Sequence, residues 1–150
     1  MSLRSFIQHV FRIQSGYVPP TMTTHSDADI GEYTYYSGTG LWTAIRRLQG
    51  REIQICGRSA APTEEQKKLL DVFFPKLVSL TGSALAMLTP PNGSPRHPLP
   101  NRLILREVRF ESTGVVELFF DPELDWDGYS IWPMASCSPE AHLLSVEWTT

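Results

Sequence analysis

Four carboxylates stand at alternate positions in one short stretch: Asp121, Glu123, Asp125 and Asp127, with Trp126 inside it and Tyr129 just beyond. Acids spaced like this can hold a cation, trade protons as a pair, or set up a negative field for a basic partner. The first option takes Glu123-x-Asp125-x-Asp127-Gly128 as the start of an EF-hand loop. That reading fails at the twelfth position, where a bidentate glutamate is required and Met134 stands, and at the first, which is Glu. A small hydrolase or metal-dependent enzyme using the carboxylates of 117–127 is the enzymatic alternative. No substrate cleft is recognisable in a chain of 150 residues to go with it. The third option assigns Asp121, Glu123, Asp125, Trp126, Asp127 and Tyr129 to a partner-binding surface, with the acids steering a cationic partner and the aromatics anchoring it. The plainest account is a solvated hairpin tip that keeps a hydrophobic strand pair from aggregating.

Other chemistry is thin. Cys56 and Cys137 have neither metal-ligand spacing nor a disulfide framework, and cytosolic thiols fit them. His9, His25, His97 and His142 are scattered, and none sits beside a serine elbow or a reactive cysteine. Ser37-Gly38-Thr39-Gly40 lacks the strand-to-helix setting of a phosphate loop and reads as a turn. No catalytic residue, metal or cofactor is therefore assigned. Pro95-Arg96-His97-Pro98 has polyproline spacing, but such matches are frequent by chance.

Charge is divided unevenly. From residue 110 onward there are eight acids and no Lys or Arg, so that part carries −8; all thirteen bases lie before it against eight acids, giving +5. A net charge of −3 excludes a general nucleic-acid binder, which needs a basic face to displace counterions. No apolar run approaches the roughly 20 residues of a bilayer span, and the start lacks the uninterrupted apolar core of a signal peptide. The expectation is a cytoplasmic protein with no membrane segment.

These side chains need a scaffold, and local patterns supply it. Leu3, Phe6, Ile7, Val10 and Phe11 predict a short amphipathic helix over 3–13, and Ser15 to Asp29 an extended loop. Glu32–Tyr36 reads as a strand; Leu41–Arg47 and Glu52–Gly57 form a hairpin, with Trp42 packed near its end. Thr63 and Gln66 make a capping box opening a helical region over Thr63–Leu88, broken by Pro75 and again by Gly82. The five prolines of Thr89–Asn101 predict a crossover loop. Leu103–Glu111, Val115–Phe120, Tyr129–Ser136 and His142–Thr149 complete a strand meander, with the acidic loop beginning at Asp121. The prediction is one domain over 1–150, with an N-terminal helix and loop over 1–30. Its class is α+β: a mainly antiparallel β-sheet with helices packed on one face.

The order Asp29-x-Gly31-x-Tyr33, Trp42, hairpin, capped helix and a meander ending at Val146-Glu147-Trp148 resembles small uncharacterised bacterial domains of the toxin-immunity type, over roughly residues 29–148. The resemblance implies a non-enzymatic immunity protein that binds and blocks a toxin domain. The acidic segment would suit a basic toxin such as a nuclease.

Overall fold

Two runs of hairpins, joined once in parallel, make the sheet. The computed structural model describes residues 18–88, 103–122 and 132–149. β1 (Met22–Asp27), β2 (Gly31–Tyr36), β3 (Leu41–Leu48) and β4 (Arg51–Gly57) pair antiparallel in sequence order. So do β5 (Leu103–Phe110), β6 (Val116–Pro122), β7 (Trp132–Cys137) and β8 (Leu143–Thr149). Between the two runs, β4 and β5 lie side by side in parallel, which gives one mixed sheet ordered β1 to β8. Parallel neighbours cannot be joined by a tight turn. The chain instead passes through α1 (Glu64–Phe73), a 3-10 turn (Phe74–Lys76) and α2 (Leu77–Met87). The class is therefore α+β, with a sheet that is antiparallel everywhere except this central join.

Local chemistry explains the elements. Gln49 (φ 51°) and Gly50 (φ 77°) both adopt left-handed backbone at the β3–β4 turn, the conformation that matches the twist of the strands it joins. Thr63 Oγ1 accepts from the Gln66 amide at 3.1 Å, and Gln66 Oε1 accepts from the Thr63 amide at 2.9 Å, so two helix-start donors are satisfied at once. Pro75 tightens one turn into a 3-10 helix, after which α2 resumes at Leu77.

Strand alternation separates two faces. Trp42, Ile55, Val108, Phe110, Leu118 and Phe120 belong to one buried cluster, together with Phe73, Leu77, Leu80 and Ala84 from the helical segment. The intervening residues, among them Gln54, Glu107, Arg109, Glu117 and Phe119, form the opposite face and are exposed or half-buried. The sheet thus has an apolar side and a polar side.

Several expectations are corrected. The loop predicted over Ser15–Asp29 contains β1, an exposed edge strand held by its pairing to β2. Gly82 does not break the helix: α2 runs through it to Met87. Alternation along β5 is interrupted, because a bulge between Leu105 and Glu107 switches the buried positions from Leu103 and Leu105 to Val108 and Phe110. β6 extends through Asp121 and Pro122, so the acidic segment begins on a strand. The helical run Glu64–Met87 reaches 24 residues, a spanning length, yet its buried positions serve the sheet's core. Residues 3–13 and 89–101 lie outside the described residues.

One charged clasp ties α1 to the β1–β2 turn. Lys67 Nζ lies 2.9 Å from Asp27 Oδ2, 3.0 Å from Asp29 Oδ2 and 3.3 Å from Glu64 Oε1. Asp27 Oδ1 also accepts the amides of Ile30 (2.9 Å) and Asp29 (2.8 Å). The Ile30 amide, then Lys67, then the Asp29 amide lower the Asp27 pKa from 3.8 to about 2. Because the folded value is depressed, the stability it contributes is full above the ordinary value and is lost as pH falls from there through about 2. Asp27→Asn should lower the urea midpoint at neutral pH and flatten its decline between roughly pH 4 and 2. Parallel declines in variant and parent would remove Asp27 from the account.

Candidate functional site

β5 and β6 bring the chemistry-bearing residues together on the polar face. Their register sets Arg109 opposite Glu117, Glu107 opposite Phe119 and Ile104 opposite Asp121. Across the parallel join, Gln54 lies beside Glu107 and Cys56 beside Arg109. Side chains that are far apart in the chain thus share one surface.

Ion pairs organise it. Arg58 grips Glu111 with two bonds, Nε to Oε2 at 2.8 Å and Nη2 to Oε1 at 3.1 Å, and its Nη1 donates to the Thr39 carbonyl at 2.9 Å. Arg109 holds Glu107 at a single oxygen, Nε donating to Oε2 at 2.8 Å with Nη2 2.6 Å from the same atom, while its guanidinium lies 4.5 Å over the Phe119 ring. Arg106 Nε stands 3.7 Å from Asp121 Oδ2, with both side chains about two-fifths exposed (43% and 41%). Arg58 and Arg106 come from the basic part of the sequence, so some of the charge segregated along the chain is cancelled in space.

Three carboxylates remain poorly matched. Glu117 faces Arg109 in register, but that guanidinium is taken by Glu107, and no cation pairs with Glu117 among the described residues. Burial, and then the negative charge of Glu111, hold its carboxyl above the usual range. Asp121 is also raised, by burial first, with Arg106 only partly offsetting it. Glu111, by contrast, is lowered by its bonds from Arg58. Glu52 is exposed and has no ion pair among the described residues. A groove of about 400 Å³ runs across this face, lined by Ile45, Glu52, Gln54, Arg106, Phe119 and Asp121 among others.

Of the residues assigned to partner binding from sequence, Asp121 is at the end of β6 and lines that groove. Glu123, Asp125, Trp126, Asp127 and Tyr129 lie outside the described residues. Sequence reading missed Arg58, Arg106, Glu107, Arg109 and Glu111. The alternation Glu107/Arg109 and Glu117/Phe119/Asp121 was the available signal, since each set projects from one side of its strand.

The Cys56 thiol is buried and pushed up to about 12 by desolvation, then by Glu107; Cys137 is pushed up to about 11 by burial. Neither is a ready nucleophile. His25 stacks on Tyr33 with centroids 5.4 Å apart and bonds Thr23 Oγ1 at 2.9 Å. Among the described residues, no three His, Cys, Asp or Glu side chains converge to hold a metal. Glu117 and Asp121, four residues apart on one strand, are separated by about 13 Å along it, beyond the roughly 5–10 Å of a glycosidase carboxyl pair.

No family model matches the chain, and no curated protein or solved structure shows significant similarity to it.

Proposed function

We propose that this protein is a non-enzymatic binding module, a cytosolic immunity protein that docks on and blocks a basic toxin domain. The observation that supports it is the outward row of β6. Glu117, Phe119 and Asp121 set acid, aromatic and acid side by side on the polar face, and the chain then continues into Glu123, Asp125, Trp126 and Asp127. In this reading the helical segment covers the apolar face of the sheet as a layer, which leaves the polar face to the partner. Acids matched to a cationic surface raise encounter rates, and desolvated aromatics supply most of the binding energy.

Co-expression with a toxin domain encoded beside its gene should restore growth to cells that the domain alone kills. For the purified pair, association should slow steeply as salt rises. The variant Asp121→Asn/Glu123→Gln/Asp125→Asn/Asp127→Asn should associate about tenfold more slowly at low salt, with an unchanged thermal midpoint. Unchanged association would remove the acidic segment from the interface. Absence of rescue and of binding would end the immunity reading.

A further inference from the structure

The outer face of α2 carries no charge. Its exposed residues are Val78 and Ser79, Gly82 and Ser83, Ala86 and Met87. They fall on two rows at i, i+4 spacing, 78–82–86 and 79–83–87, while Leu77, Leu80 and Ala84 turn to the core. A water-facing helix surface ordinarily carries charged side chains, yet none occurs between Lys76 and Arg96. Across the most apolar 18 residues of the run Glu64–Met87, only 28% is buried. Val78 keeps 45% of its surface exposed and Met87 61%. Beside this face lies a hollow of about 320 Å³, lined by Val78, Thr81 and Gly82 together with Leu48, Ile53 and Leu105. Thr81 also has a buried hydroxyl oxygen without a hydrogen-bond partner among the described residues.

We propose that this face of α2 docks a second copy of the chain, antiparallel, about a two-fold axis passing between Gly82 and Ser83. The order of side-chain sizes selects the occupant. Such an axis sets Gly82 against Ser83, Ser79 against Ala86 and Val78 against Met87 of the second copy, each pair occurring twice. Two crossing helices are closest at the crossing point and diverge towards their ends. Small side chains at the centre allow the approach, and the larger Val78 and Met87 fill the widening gaps. The two i, i+4 rows are the ridges that interdigitate at a crossing of about −50°. Met87 of the second copy, arriving opposite Val78, has the hollow to enter, where its sulfur is a weak acceptor for the Thr81 hydroxyl. A basic partner gains nothing from a face without ions, whereas the same face on another copy matches it in size and polarity. An interface one short helix long is small beside the roughly 800 Å² per partner of a standard one, so the dimer should be of micromolar strength.

Sedimentation equilibrium of the full chain, from low micromolar to a few hundred micromolar, tests it. The expected result is a monomer–dimer equilibrium that does not weaken as salt rises, because no ion pair lies in the interface. Ser83→Glu and Ser83→Arg, each alone, should weaken the dimer at least about tenfold, since like charges meet beside the axis. Ser83 is exposed, so neither change should lower the thermal midpoint. Mixing the two variants should restore a dimer holding one copy of each. A Cβ at Gly82 would meet nothing within 4 Å, so Gly82→Leu adds bulk at the crossing point and should weaken the dimer by a similar factor. A chain that stays monomeric at every concentration, or variants that dimerise like the parent, overturns the proposal. So does a mixture no more dimeric than its components. Binding of a monomeric chain to phosphatidylcholine vesicles, lost in Ser83→Glu, would assign the face to a lipid surface and overturn it equally. The polar face of the sheet takes no part in any of these outcomes.

Discussion

Gly57→Ala is expected to cost about 3 kcal/mol or more of folding stability, an unusually large effect for one added methyl group. Gly57 pairs in register with Trp42, and the indole lies directly over its backbone. A Cβ there would sit on Trp42 Nε1, 2.5 Å from Cε2 and 2.8 Å from Gln66 Nε2. Neither group can retreat. The indole is fully buried and donates to Gln66 Oε1 at 2.8 Å, and that oxygen also accepts the Thr63 amide of the capping box. The thermal midpoint should fall by roughly 10 °C, at 2–4 °C per kcal/mol for a chain of this size. A double-mutant cycle isolates the cause. In a Trp42→Phe background, which removes the atom that Cβ meets first, the same change should cost distinctly less. A loss below about 1 kcal/mol, or an identical loss in both backgrounds, would refute the clash.

The other large effect belongs to Trp42 itself. Trp42→Ala should cost about 3–5 kcal/mol, because a fully buried indole is replaced by a cavity. The consequence extends past packing. Trp42 also meets Tyr33 edge-on at 6.3 Å, and through Gln66 it links β3 to the start of α1. Gln66 Oε1 would keep the Thr63 amide and the Ser59 hydroxyl (3.2 Å) as donors, so the helix start should survive in helical circular dichroism while the urea midpoint drops. A cost under about 2 kcal/mol would mean the site collapses and Trp42 is not a central support.

What was legible in the sequence was local. The Gln49-Gly50 turn, the Thr63–Gln66 box and the Pro75 interruption each act within a few residues, and each is found where the pattern placed it. β1 escaped because Met-Thr-Thr-His-Ser-Asp is exposed along nearly its whole length, so no alternation marks it; pairing to β2 alone makes it a strand. Gly82 misled for a different reason. Glycine lowers helix propensity by only about 1 kcal/mol, which the buried Leu77, Leu80 and Ala84 outweigh. The site divided along the same line. Asp121 and Glu117 were visible as part of an acidic run, but their unequal neutralisation depends on Arg106 and Arg109 arriving from β5 and Arg58 from just after β4. Only the pairing of β4 with β5 brings Gln54 and Cys56 beside Glu107 and Arg109.

That parallel join bears on how the chain assembles. Within each set of four strands, every partner is the next strand in sequence, so registers can form at small loop-closure cost. The seam differs: Gly57 must meet Phe110 after the whole of 58–109 has been closed into a loop, at an entropic cost of about 3.5 kcal/mol from length alone. The strands at the centre of the finished sheet are therefore the last whose meeting is favoured by proximity, and the polar face that spans them exists only once both halves have docked.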